Sequence, residues 1–250
     1  MGAEQAAPGY ITPQWPAPDR VRALTTLRTG GCSSGPYASF NLALHTGDDP
    51  AAVQRNRKLL RDHFRLPAEP VWLQQVHGNR IVSADAGSAG ESADGSWSDT
   101  AGKVCAAMTA DCLPVLITDR AGSQVAAAHA GWRGLHAGVI TSAVRSLASD
   151  PADLMVWLGP AIGPRAFEVG ADVVQAFTEN SSRNAAAFAR TSDRHWLCDL
   201  YLLARIELAE LGVSEIYGGT ECTFTDADRF YSYRRDGRTG RMASLIWLER

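Results

Sequence analysis

VCAAMTADCLPVLITDRAGSQVAAAHAGWRGL, from Val104 to Leu135, contains two apolar runs, each interrupted by a polar group that a buried strand does not need. Val104 to Thr109 leads into Asp111 and Cys112, and the apolar pattern resumes at Val115 to Ile117 before a turn over Asp119 to Ser123. The second run, Val125 to Ala128, ends on His129 and is followed by Gly131, Trp132, Arg133 and Gly134. Short apolar runs bounded by Gly, Pro and Asp predict buried strands. Cys112 and His129 then fall at strand ends, and they become neighbours if the strands pair. One further histidine would complete a metal site, and His77 in LQQVHGNR is the candidate. Zinc takes thiolate and imidazole donors, and a catalytic zinc keeps its fourth position open. Alanines and glycines around His129 leave room for an ion or a ligand. The three donors are too widely spaced to form a motif, and a buried structural thiol is the competing reading of Cys112.

On the N-terminal side, Val71 to Val76 reads as a strand, His77-Gly78-Asn79 as a turn and Arg80 to Val82 as extended chain. Residues 84 to 103, rich in Ala, Gly, Ser and Asp, read as a loop whose Asp94 approaches the same cleft. Ala51 to Phe64 predicts a helix with Asp49 as its cap and Pro50 in its first turn. Arg20 to Arg28 predicts a strand. The polar stretch that follows, through SFNLALHTGDDP, places Asn41 and His45 as substrate-binding candidates, with local turn bonding the competing role for Asn41. Residues 1 to 19 are expected to be an extension anchored by Ile11 and Trp15, and 20 to 250 a single catalytic domain.

On the C-terminal side, a helix is expected from Gly134 through Leu147 and a strand over Leu154 to Leu158. A Gly/Pro loop then leads to an element beginning near Phe167, and Asp172 to Phe177 reads as helical. Residues 180 to 194 read as a loose polar connection, Leu197 to Leu211 as a helix ended by Gly212, and Ser214 to Tyr217 and Met242 to Trp247 as strands. Strands and helices intermix without the alternation or the Gly-rich first loop of a dinucleotide fold. The expected class is α+β: a single-domain layered α/β sandwich with mixed sheets, neither Rossmann nor cupredoxin.

Apolar residues make up 45% of the 250-residue chain and charged residues 20%, the profile of an ordinary globular protein. A net charge of −3 gives no field that would favour nucleic acid or an anionic membrane, and neither is expected as a partner. Five cysteines in irregular spacing do not resemble a disulfide framework, so reduced thiols and a cytoplasmic location are expected. Nothing in the sequence forces more than a monomer or weak homodimer. Asp111, beside Cys112, either caps a turn or carries a proton, and Glu168 is a second acid–base candidate. Arg133, and Arg234 within the aromatic-basic cluster Tyr231–Arg235, are candidates for binding a phosphorylated or nucleoside ligand or for local ion pairs.

LQQVHG, TADCLPV, HAGWRG, LGPAIGP with FEVG, and FYSYRRDGRTGR occur in this order. Together they resemble the signature blocks of the laccase-domain family, once called multicopper polyphenol oxidases and now regarded as purine nucleoside phosphorylases. The resemblance spans positions 20 to 250. It implies that His77, Cys112 and His129 ligate zinc at a catalytic centre, with phosphate as co-substrate. It implies phosphorolysis of adenosine, guanosine or inosine, cleavage of methylthioadenosine, and deamination of adenosine. Many members carry cysteine after IGP, where this chain has Arg165-Ala166, so a thiol role there is absent. Six histidines cannot supply a blue-copper centre together with a copper cluster, although a single copper could replace zinc at the triad and give weak polyphenol oxidase activity. Two other classes stay open. One is a cysteine or zinc amide hydrolase editing UDP-muramoyl cell-wall precursors; the other is a non-catalytic, zinc-stabilised partner protein.

Overall fold

The computed structural model describes residues 7–86 and 88–250; residues 1–6 of the expected N-terminal extension lie outside the described residues. In chain order the strands are β1 (Tyr10–Ile11), β2 (Val21–Thr26), β3 (Ile81–Ser83), β4 (Gly95–Ser98), β5 (Val104–Thr109), β6 (Leu113–Asp119) and β7 (Val125–Ala130). They continue as β8 (Leu154–Leu158), β9 (Glu168–Gly170), β10 (Phe188–Arg190), β11 (His195–Cys198), β12 (Glu215–Gly218) and β13 (Met242–Leu248). The helices are α1 (Pro50–Phe64), α2 (Trp132–His136), α3 (Val139–Ser146), α4 (Ala171–Asn180), α5 (Leu200–Glu210) and α6 (Tyr233–Asp236).

Two sheets form the centre, one ordered β1-β2-β13-β5 and the other β12-β8-β6-β7-β4-β3. Every residue of β5, β6 and β7 is buried, because each strand has both faces covered. The pleat sorts their side chains by face. Leu116, Val125 and Ala127 face Cys105, Ala107 and Ile246 between the sheets. Leu113, Val115, Ile117, Ala126 and Ala128 face Val139, Ile140, Ala143 and Leu208 of α3 and α5. Val104, Ala106 and Met108 point to the outer side of the smaller sheet, against Phe40, Leu42 and Leu60. The result is the expected layered α+β sandwich with mixed sheets, and a three-stranded β10-β11-β9 sheet beside it. Among the described residues no helix is long and apolar enough to cross a membrane. Leu116→Ala, which removes a fully buried side chain between the sheets, is expected to cost about 2–5 kcal/mol of stability, read as a lower urea midpoint.

Several expectations are corrected. Val71 to Val76 is not a strand: only Val71 and Gln74 make isolated bridges. The Gln75 side chain instead pairs with the Met108 backbone, donating to its carbonyl and accepting from its N–H, both at 2.8 Å. The stretch 84–103 is not all loop, because β4 pairs antiparallel with β7. The helix expected from Gly134 to Leu147 is broken into α2 and α3 at Gly138, whose φ of 81° fits glycine and ends the first helical turn. Leu197 and Cys198 belong to β11, and α5 starts only after Asp199, whose carboxylate accepts from Leu202 N–H. The connection expected over 180–194 contains β10, paired with β11. By contrast, α1 is capped by Asp49 as expected.

The polar loop before α1 is ordered from beneath. Asn56 of α1 is fully buried and donates to Ser33 Oγ and to the carbonyls of Ser39 and Asn41. Asn41 donates to Thr46 Oγ1 and Asp48 Oδ2 at 3.0 Å. This network sets the short turn Leu44–Thr46 that carries His45 to the site.

Candidate functional site

β6 and β7 form a hairpin in which Leu113 faces Ala130 and Pro114 faces His129. Cys112 therefore meets the end of β7, as the pairing argument requires. Asp111 and Cys112 occupy the crossover from β5 in one sheet to β6 in the other. His77 arrives from the irregular segment that Gln75 fastens to β5. The donor atoms of His77, Cys112 and His129 all lie within 4.8 Å of one another, with Cys112 Sγ 3.8 Å from His77 Nε2. Two nitrogens and one sulfur converging in this way are a donor set suited to a zinc-like ion.

Asp94, just before β4, locks the set together. Its Oδ1 is 2.9 Å from His129 Nδ1 and also accepts from His77 N–H at 2.9 Å, while Oδ2 accepts from Gly78 N–H at 2.7 Å. With Nδ1 committed to a carboxylate, Nε2 is the free donor of His129, the arrangement that orients histidine ligands in metal centres. His77 and Asp111 have left-handed backbones, with φ of 61° and 92°. Such conformations persist where the surroundings over-determine them, and here the bonds from Asp94 and those around Asp111 do so. Gly131 is needed for space: a Cβ there would stand 2.9 Å from Cys112 Sγ and from His77 Cδ2.

Burial pushes the Cys112 thiol up, but the His129 and His77 imidazoles beside it outweigh this and bring it down to about 6. Burial lowers His129, and the Cys112 sulfur and Asp94 carboxylate outweigh that, raising it to about 9. Between those values the pair is thiolate and imidazolium. The depressed thiol contributes stability above its unfolded pKa that is lost as pH falls through about 6. The raised imidazole contributes stability below its unfolded pKa that is lost as pH rises through about 9. Iodoacetamide labelling of Cys112 in metal-free protein, resolved by peptide mass spectrometry, is expected to rise with a midpoint near pH 6. A midpoint above about pH 8, the range of an ordinary thiol, would contradict the pairing.

Two cavities meet at the triad and share His77, Ala110, Cys112, Arg133 and Tyr233 as walls. One, of about 240 Å³, is bounded by Trp132, Ile162, Phe167, Leu200 and Arg234. The other, of about 440 Å³, is bounded by His45, Gln75, Met108, Thr109, His129 and Arg241. The Arg133 guanidinium lies 4.3 Å above the Trp132 ring, and that of Arg234 lies 5.2 Å above Phe167.

The remaining candidates fall in different places. His45 lines the larger lobe, where burial and the charges of Arg241, Arg57 and His129 lower its pKa. Asn41 is fully buried and lines neither lobe; its Oδ1 accepts the Arg241 N–H at 2.9 Å. Asp111 borders the smaller lobe, but its carboxylate is held by the Thr223 hydroxyl and by Arg234 N–H, both at 2.6 Å. Glu168 is exposed on β9 and bounds neither lobe; its carbonyl accepts from Arg234 Nη1. Gln75 lies inside the LQQVHG block and Arg241 ends the FYSYRRDGRTGR block, but neither residue type points to the site by itself. Gln75 looks like an interruption of a strand, and Arg241 is brought to the site by a bond to Asn41 from the other end of the chain.

The family model described as multi-copper polyphenol oxidoreductase laccase matches residues 22–249. The chain is 53% identical over 239 residues to purine nucleoside phosphorylase YfiH of Escherichia coli, covering 95% of this chain and 98% of that protein. It is equally identical over 241 residues to a Pseudomonas aeruginosa protein also named purine nucleoside phosphorylase, covering 96% and 98%. Among solved structures it is similar to a Neisseria meningitidis protein, with a TM-score of 0.94 and 49% identity over 97% of this chain and all of the other. It is also similar to YlmD of Geobacillus stearothermophilus, with a TM-score of 0.89 and 32% identity over 99% and 98% of the two chains.

Proposed function

The chain belongs to the multi-copper polyphenol oxidoreductase laccase family, and from that premise and the geometry of the cleft we propose that it is a zinc-dependent purine nucleoside phosphorylase. The observation that carries this reading is the two-lobed cleft centred on His77, Cys112 and His129, with Trp132 and Phe167 on one lobe and Arg241 and His45 on the other. The names of the relatives support a nucleoside substrate. Trp132, Phe167 and Tyr233 offer flat apolar surface to a purine, and Arg133 stands on the wall that both lobes share. The broader reading includes adenosine, inosine, guanosine and methylthioadenosine as substrates, with adenosine deamination as a side activity.

A zinc ion held by His77, Cys112 and His129 would supply Lewis-acid polarisation at the centre of the cleft. Asp94 orients His129, and Asp111 fixes Arg234 and the crossover that presents Cys112. Six histidines, of which two stand in the triad, do not support a multi-copper oxidase; copper at the triad is a replacement for zinc only.

The test is incubation of zinc-loaded protein with a nucleoside panel, with and without phosphate. Free base with ribose 1-phosphate, formed only when phosphate is present, is expected. Release of base at an equal rate without phosphate would reject the phosphorylase reading.

One observation favours a second reading. The Cys112 thiolate, paired with His129 and backed by Asp94, also suits nucleophilic cleavage of an amide, including those of cell-wall precursors. That hydrolase would keep its activity after chelation and lose it on alkylation.

A further inference from the structure

Among the described residues, the larger lobe holds an arginine with no carboxylate beside it and a buried hydroxyl with no hydrogen-bond partner. Arg241, at the start of β13, is half-buried beneath it, and among the described residues no carboxylate lies within ion-pair distance of its guanidinium. Its Nη1 donates to the neighbouring carbonyls of Thr239 and Gly240, at 3.1 and 2.9 Å. The Asn41 bond to its backbone N–H, together with the network beneath Asn41, fixes where the side chain starts. Buried arginines are as a rule paired with a carboxylate or with another oxyanion. Thr109, also on this lobe, is 1% exposed and its hydroxyl has no hydrogen-bond partner. Buried polar groups left unbonded by the protein are few, and each asks for a reason. His45 stands on the same lobe.

The other arginines of the cleft are differently engaged. Arg234 is tied to the Glu168 carbonyl and lies over Phe167 on the aromatic side, and Arg133 is exposed and stacked on its own neighbour Trp132. Arg241 lines the larger lobe and not the smaller, with its guanidinium 5.9 Å from the ring of Tyr233 on the wall that both lobes share.

We propose that the lobe bounded by Arg241, Thr109 and His45 is the oxyanion subsite that seats inorganic phosphate, with Arg241 as its anchor. The inference rests on the phosphorylase reading for the identity of the anion, and it adds where the anion sits and how it attacks. A purine against Trp132 and Phe167 and phosphate beside Arg241 then meet at the wall that both lobes share, which leaves the ribose C1' between them. A phosphate oxygen forms the bond to C1' as the C1'–N9 bond breaks. The bonding pair leaves on N9 of the purine, which takes up a proton. Phosphate therefore enters on the face opposite the departing base, and a β-nucleoside gives α-ribose 1-phosphate.

The experiment uses zinc-loaded full-length protein, with phosphate and inosine varied independently. Arg241→Gln is expected to raise the KM for phosphate by about tenfold or more, the size of one lost charge-assisted hydrogen bond, with the KM for inosine changed less than about twofold. His45→Gln and Thr109→Val are expected to shift the phosphate KM in the same direction by smaller factors. Binding of inorganic phosphate without nucleoside, followed by calorimetry, is expected for the wild type and lost in Arg241→Gln. Wild-type protein that turns over no nucleoside yet binds phosphate through Arg241 would sink the phosphorylase reading and leave the subsite standing. Phosphate-dependent turnover with an unchanged phosphate KM in Arg241→Gln would sink the subsite and leave the phosphorylase reading. If Arg241→Gln fails to fold, the other two variants decide, and an unchanged phosphate KM in both overturns the proposal. A β-anomeric product, read by NMR, would overturn the opposed geometry.

Discussion

Cys112→Ala is expected to lower nucleoside turnover by more than about 100-fold, since removing even an outer partner of a metal ligand costs about 10–100-fold. The substitution deletes the only sulfur of the donor set and leaves two imidazoles, too few to hold an ion firmly. Cys112 sits at a crossover turn and is only partly buried, so the loss of its Sγ opens little internal volume. The fold is therefore expected to survive, with unchanged far-UV circular dichroism and the two sheets intact. Steady-state turnover and metal content per chain are the readouts, and both should fall together. Turnover equal to the wild type would remove this site from the reaction.

Asp94→Asn is the second large effect, and it acts through position. The carboxylate accepts from His77 N–H and Gly78 N–H and holds His129 Nδ1. An asparagine keeps one acceptor and turns two N–H donors towards groups that are themselves donors. Loss of bonds to a buried charge is expected to cost about 1.5–3 kcal/mol of stability and about 10–100-fold in metal affinity. Burial raises the Asp94 pKa, and the bonds from His129, Gly78 and His77 outweigh it and hold the carboxyl below its usual range. Its contribution is therefore present above the unfolded carboxylate pKa and lost as pH falls through the depressed folded value. Urea unfolding across the acid limb should show that loss in the wild type and a flatter curve in Asp94→Asn. An unchanged zinc affinity in the variant would mean that His129 needs no such orientation.

The parts of the fold that could be read in the sequence are those where burial on both faces writes long apolar runs, β5 to β8 and β13. β4 was hidden because Gly95-Ser-Trp-Ser has small polar residues, and Ser96 and Ser98 are buried all the same by pairing with Ala127 and Val125 of β7. Val71 to Val76 misled because the same apolar residues can pack in an irregular segment when a side-chain amide replaces the ladder. The start of α5 was set by competition: Leu197 and Cys198 are helix-compatible, yet pairing with Val169's strand and with Phe188 claims them. At the site, strand pairing predicted the meeting of Cys112 and His129, whereas His77 was a candidate by residue type and the full triad was implied by the family resemblance. Arg241 was not predicted, since its place depends on Asn41 and on a loop network closed from the far end of the chain.

The most direct measurement is turnover of inosine in phosphate by protein stripped of metal and titrated with zinc. The account predicts negligible turnover when stripped, recovery in proportion to added zinc up to one ion per chain, and no recovery in Cys112→Ala. Stripped protein that turns over inosine as fast as the zinc-loaded protein would contradict it.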